Sequence, residues 1–145
     1  MKLQIMETNA KTITVETDIK APIDKVWDYF TNPKHIIRWN NASDDWHSPK
    51  AENDLRVGGN FNYRMEAKDG SFGFDFGGVY NAVIENKYIE YTIGDGRKVK
   101  VSFDTSGDNT HVSENFEAEN THSLEMQKGG WQNILDNFKK YTEAN

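Results

Sequence analysis

Apolar and polar positions alternate over residues 12–20, with Ile13, Val15 and Ile19 on one side and Thr14, Glu16 and Asp18 on the other. A period of two predicts a half-buried strand. Pro22 ends that strand and suits the first turn of a helix. Ile23, Val26, Trp27 and Phe30 then recur at three- and four-residue spacing, a single apolar stripe on a helix. Asn32-Pro33 reads as an N-cap followed by proline at the first position of a second, short helix running through Ile36 and Ile37 to about Trp39. Residues 40–52 are polar, hold Trp46 and Pro49, and read as a loop.

Period two returns over residues 56–119. Phe61, Tyr63 and Met65 share one face of a strand, and Phe72, Phe74 and Phe76 one face of the next. Asp69-Gly70 between them is a two-residue hairpin signal. After Gly77-Gly78 the apolar positions become Val79 and Val83, a change of parity that predicts a bulge or sharp bend at the paired glycines. Residues 88–93 form another strand, Asp95-Gly96 is a second hairpin signal, and Val99, Val101 and Phe103 alternate again. Gly107-Asp108-Asn109 turns the chain into a last strand with Val112, Glu114 and Phe116. The period then changes. Leu124, Trp131, Ile134, Leu135, Phe138 and Tyr141 line one side of a long helix, with Lys139 and Lys140 in its last turns, where the helix dipole favours positive charge. Gly129-Gly130 falls inside this pattern, at about 1 kcal/mol each against alanine. Either the helix kinks or is closely approached there, or it starts after them.

Strand, two helices, about six strands and a long helix is an α+β order. A mainly antiparallel sheet needs one face covered, and the amphipathic C-terminal helix is the element long enough to cover it. The predicted fold is a curved antiparallel sheet wrapped around that helix. Residues 12–145 form one domain and residues 1–11 a flexible arm or an added edge strand. Composition narrows the function. A length of 145 residues fits one domain. The 12% of aromatic residues can dominate its core, because each buries a large area when enclosed. The absence of cysteine excludes disulfides, thiolate zinc sites, iron–sulfur clusters and a cysteine nucleophile. A net charge of -6 with no basic cluster argues against nucleic acid. No run approaches the ~20 apolar residues needed to span a bilayer. The first ten residues, with Lys2 and Glu7, hold no apolar stretch of the kind a signal peptide needs, so a cytoplasmic location is expected.

Three stretches carry a family likeness. They are Ala21-Pro22-Ile23-Asp24-Lys25-Val26-Trp27 leading to Arg38-Trp39; Gly58-Gly59-Asn60-Phe61 with Asp69-Gly70 and Gly77-Gly78-Val79-Tyr80; and Gly129-Gly130-Trp131-Gln132-Asn133-Ile134-Leu135. In this order they resemble the SRPBCC helix-grip superfamily, which includes START domains and the birch pollen allergen. Within it they resemble the activator of heat-shock protein 90 ATPase homologue family. The resemblance runs from about Thr12 to Tyr141. It implies a deep cavity between sheet and helix. The eukaryotic activators carry a separate chaperone-binding domain for which this sequence has no room.

Under that arrangement Phe61, Tyr63, Phe74 and Phe76 face Trp131, Leu135 and Phe138 of the helix, with Val101 and Phe103 on the same concave side. Spacing alone fits a lined cavity and a filled core equally; the resemblance points to a cavity. Glu114 shares the parity of Val112 and Phe116 and is expected to point inward, where desolvation would raise its pKa unless a partner is near. A bulge that turns it outward is the alternative. Trp27 and Phe30 are assigned to packing. Trp39, Trp46 and their surroundings are read as a mobile loop, with a gate or partner surface as the alternative. The four histidines, His35, His47, His111 and His122, show no metal-binding spacing. His47 beside Asp44 and Asp45 reads as a solvated acidic loop. Gly70, Gly73, Gly77 and Gly78 have strand residues on both sides, which a phosphate loop does not. No catalytic residue, metal or cofactor is assigned. The expected function is binding of a small apolar or lipid-like molecule. The alternatives are a module that binds a chaperone or other protein, and a cyclase- or hydrolase-like enzyme using the same cavity.

Overall fold

The protein, described by a computed structural model over residues 11–145, is a seven-stranded antiparallel sheet curled around a long helix. Strand β1, Thr12–Ile19, buries Ile13, Val15 and Ile19 by the alternation expected of it. Helices α1, Ile23–Thr31, and α2, Pro33–Trp39, follow. Asn32 joins them: it is the C-cap of α1, and its side chain accepts a hydrogen bond at 3.0 Å from the Lys34 N–H at the start of α2, with Pro33 at the first helical position. The strands β2 (Trp46–Asn53), β3 (Asn60–Ala67), β4 (Gly73–Ile84), β5 (Tyr88–Ile93), β6 (Lys98–Ser106) and β7 (Asn109–Glu117) run in the spatial order β1-β7-β6-β5-β4-β3-β2. Helix α3, Leu124–Ala144, lies across the concave side. The N-terminal arm expected over residues 1–11 lies, apart from Lys11, outside the described residues.

Four local expectations are corrected. Residues 46–53 are a strand, not a loop. Their polar, non-alternating text hid an edge strand, in which the pairing with β3 shifts between His47 and Lys50 so that Pro49 needs no ladder partner. The β3–β4 hairpin is longer than two residues: Gly70, at φ +79°, donates its N–H to Ala67 O, and the Ala67 N–H reaches Phe72 O. Phe72 therefore stands in the turn, 62% exposed, rather than in the strand. The parity of β4 does not change at Gly77-Gly78. Phe76, Gly78 and Tyr80 keep the inward side, Val79 is exposed, and the irregularity falls one step later, between Tyr80 and Ala82. Gly78 is glycine because a Cβ there would lie 2.5 Å from Thr92 O and 3.0 Å from the Phe61 ring. Finally, Gly129 and Gly130 sit inside α3, which starts at Leu124 with Ser123 accepting from Met126 N–H at 3.1 Å. Nothing lies within 4 Å of a Cβ built at either glycine, so no close approach accounts for them.

Helix α3 also closes the sheet edge at β1. Gln132 Nε2 donates to Glu16 O, Lys139 Nζ to Asp18 O, and the Lys20 N–H to Glu143 Oε2, so side chains of the helix satisfy the outward backbone groups of that strand. Asn137 ties the helix to the end of α2 by donating to Trp39 O at 2.7 Å. Phe138 meets Phe30 and Trp39 edge-on, at ring separations of 5.2 and 4.8 Å. These contacts fix one half of α3 firmly against β1, α1 and α2.

Candidate functional site

The curl of the sheet leaves a cavity of about 300 Å³ between β3, β4, β5 and β7 on one side and α1, α2 and α3 on the other. Strand register builds its floor. Glu114 lies opposite Val15 on β1 and Val101 on β6, both fully buried, and Val101 lies opposite Ile89 on β5. A period-two strand that puts Val112 and Phe116 inward must put Glu114 inward as well. Its residue is 8% exposed. No salt bridge or side-chain hydrogen bond among the described residues involves its carboxyl, and burial pushes its pKa up to about 8.

Aromatic rings form most of the wall. Trp131 of α3 stacks on Phe116 at 3.9 Å and meets Phe76 edge-on at 6.2 Å, so one side chain bridges β7 and β4. Phe61 touches Tyr63, Phe76, Tyr80 and Tyr91 at ring separations between 4.8 and 5.9 Å. Tyr80 donates to Asn53 Oδ1. Burial raises the pKa of Tyr63 and Tyr91 well above 10 and of Tyr80 to about 12; the nearby Glu114 carboxylate pushes Tyr91 further in the same direction. Phe74 at the wall is 42% exposed, so the cavity reaches the surface beside it. Arg97 also lines the cavity, but its Nε is held by Asp95 at 2.8 Å and its Nη1 by Glu117 O at 3.1 Å.

Of the residues singled out from sequence, Phe61, Tyr63, Phe74, Phe76, Glu114 and Trp131 come together on the cavity wall. Val101, Phe103, Leu135 and Phe138 are buried in the core that backs it. Beside Trp131, Ile134 rather than Leu135 is the α3 residue that faces the space. Sequence reading passed over Met65, Tyr80, Ile89 and Tyr91 as wall residues. Strand parity held the signal for three of them, since Met65 shares a face with Phe61, and Ile89 and Tyr91 share one with Ile93. For Tyr80 the misplaced bulge removed it. Phe30, assigned to packing, and Trp39, read at the end of the second helix beside a mobile loop, combine packing with a place on the wall. Nothing in the local sequence marked Thr31 or Asn40. Among the described residues no group of three or more His, Asp or Glu could hold a metal ion, and no helix is long and apolar enough to cross a membrane.

Solved structures share this architecture. An Activator of Hsp90 ATPase homolog 1-like protein from Aeromonas hydrophila is 45% identical, with a TM-score of 0.87 over 92% of this chain and 93% of its own. A protein from Cytophaga hutchinsonii is 54% identical, with a TM-score of 0.80 over 92% of this chain and 93% of its own. A protein from Chromobacterium violaceum, at 22% identity and a TM-score of 0.83 over 93% of this chain and 99% of its own, shows the fold alone. No curated protein matches. A model of one family matches residues 20–143, nearly the whole described domain, and with these relatives it establishes that the chain belongs to the Activator of Hsp90 ATPase homolog 1-like family.

Proposed function

We propose that residues 12–145 act as one domain, working in the cytoplasm, that holds a small apolar or amphipathic molecule between sheet and α3. One observation carries this reading: a cavity of about 300 Å³, walled mainly by aromatic rings, that reaches the surface beside Phe74 and contains a buried carboxyl with no partner among the described residues. Pockets for small molecules are mostly apolar with a few placed polar groups. Phe61, Tyr63, Phe74, Phe76, Glu114 and Trp131 would touch the ligand, while Val101, Phe103, Leu135 and Phe138 hold the walls from behind. Native mass spectrometry of protein purified under mild conditions tests this directly, and a retained small molecule is expected. Added ligand at 100 times its dissociation constant should raise stability by about 2.7 kcal/mol. No retained mass and no thermal shift across lipids, polyketides and steroids would overturn the reading.

A second reading rests on the outer rim of the cavity, where Phe74 meets two further rings. The exposed Phe72 and Phe74 and the half-buried Trp46 form an aromatic group with ring separations of 6.0–6.2 Å. The family is named for an activator of the Hsp90 ATPase. If this group docks a chaperone or other protein, Phe72→Ser should abolish both capture of that partner and any change in its ATPase rate. Equal capture by wild type and variant would remove this reading.

A further inference from the structure

The charge of the ligand can be read from what the cavity does and does not supply. Nine of the sixteen wall residues are Phe, Tyr or Trp. Among them Trp131, Phe76, Phe61 and Tyr91 form an unbroken chain of ring contacts. Glu114 lies within this arc. It is two residues along the strand from Phe116, the ring on which Trp131 stacks, and its charge acts on Tyr91. Among the described residues it is the one acidic residue on the wall. The one cationic wall residue among the described residues, Arg97, is taken up by Asp95 and by the Glu117 carbonyl and makes no ion pair with Glu114. A buried carboxyl without a partner is costly, and such groups persist where something outside the chain completes them.

Resting on the small-molecule reading above, we infer that the ligand is an organic monocation on an apolar body, its charged nitrogen placed against the ring faces and the Glu114 carboxylate. The ring quadrupole attracts a cation and is indifferent to a neutral group of the same shape. A neutral acceptor such as a ketone could take its hydrogen bond from a tyrosine hydroxyl of the wall, with no need of a group that can become an anion. An anion would be repelled by it. The net charge of -6 also favours approach of a cation over that of an anion.

The proton balance is explicit. At pH 7 the empty site holds Glu114 mostly protonated, with its pKa at about 8. Binding a permanent cation releases that proton to solvent. Tyr63, Tyr80 and Tyr91 titrate well above this range, and among the described residues β1, β6, α1, α2 and α3 put no other titratable side chain on the wall.

The test compares a phenylbutyl-trimethylammonium ion with its uncharged tert-butyl isostere by calorimetry. The cation is expected to bind the wild-type protein roughly tenfold or more tightly than the isostere at pH 7.5. Its affinity should rise roughly tenfold per unit between pH 6 and pH 7 and level off above pH 8, with one proton released per cation bound. The isostere should show no such rise. In Glu114→Gln the two compounds should bind within about threefold of each other, because only the ring contribution to the preference remains. Equal binding of both compounds by the wild-type protein overturns the inference and leaves the small-molecule reading standing. Binding of neither overturns both. Should Glu114→Gln fail to fold, the pH profile and proton release of the wild-type protein decide the matter alone.

Discussion

Glu114 sets the clearest expectations at the scale of single residues. Its folded pKa of about 8 lies above its ordinary 4.5, so the folded state keeps a proton that the unfolded chain releases between those values. The stability this contributes is complete below pH 4.5 and is lost as pH rises, by up to about 1.4 kcal/mol per unit, until pH passes 8. Glu114→Gln keeps no such proton. Its unfolding free energy in urea is expected to fall less steeply from pH 5 to pH 8 and to exceed that of the wild-type protein at pH 8.5. Parallel curves would show that the carboxyl is not desolvated. Trp131 is the counterpart on the helix. Trp131→Ala removes the ring stacked on Phe116 and the edge contact to Phe76, and is expected to cost about 2–4 kcal/mol in the same assay. Trp131→Phe, which keeps a ring in place, should cost clearly less. Both residues could be placed inward from sequence, because each sits on an element with clean periodicity. Their meeting through Phe116 could not, since it depends on how far along the strands α3 lies.

At the scale of elements, the paired glycines separate two roles that look alike in sequence. Gly129 and Gly130 are helical, with open space where a Cβ would stand, so Gly129→Ala and Gly130→Ala should each stabilise by about 0.5–1 kcal/mol. Gly78→Ala drives a Cβ into the Thr92 carbonyl and the Phe61 ring and should destabilise by about 2 kcal/mol or more. Thermal unfolding of the three variants gives the signs directly; a destabilised Gly129→Ala would mean that something does approach α3 there. Elements with a strong period were legible: β1, α1, the Asn32-Pro33 junction, β5 to β7 and α3. Residues 46–53 were not, because an edge strand paired on one side, with a proline at its irregular step, has no need to alternate. The β4 bulge was misplaced for a related reason. Glycines have no side chain to betray which face they occupy, and Gly78 turned out to be an inward residue filled by its neighbour Phe61.

For the whole molecule, burial is unevenly divided along the sheet. Strands β5 to β7 bury Ile89, Ile93, Val99, Val101, Phe103, Val112 and Phe116 against β1, α1 and α3, whereas β2 buries only Ser48 and β3 only Phe61 and Met65. The reason is the cavity: β3 and β4 give it Phe61, Tyr63, Met65, Phe74, Phe76 and Tyr80, whereas β5 gives it Ile89 and Tyr91 and β7 only Glu114. Local stability follows buried apolar contact, so the two halves of one continuous sheet should open with different free energies. Native-state hydrogen exchange is expected to show β6 and β7 amides exchanging only through global unfolding. Amides of β2, β3 and the β3–β4 turn should exchange at lower free energy. A ligand that fills the cavity supplies the missing neighbours mainly to the weaker half. At 100 times its dissociation constant it should slow exchange in β3 and the first half of β4 by up to about 2.7 kcal/mol. It should raise β6 and β7 only as far as global stability rises. Uniform protection across all seven strands in the free protein would show that the wall facing the cavity is held as firmly as the core, and that the unfilled space does not weaken it.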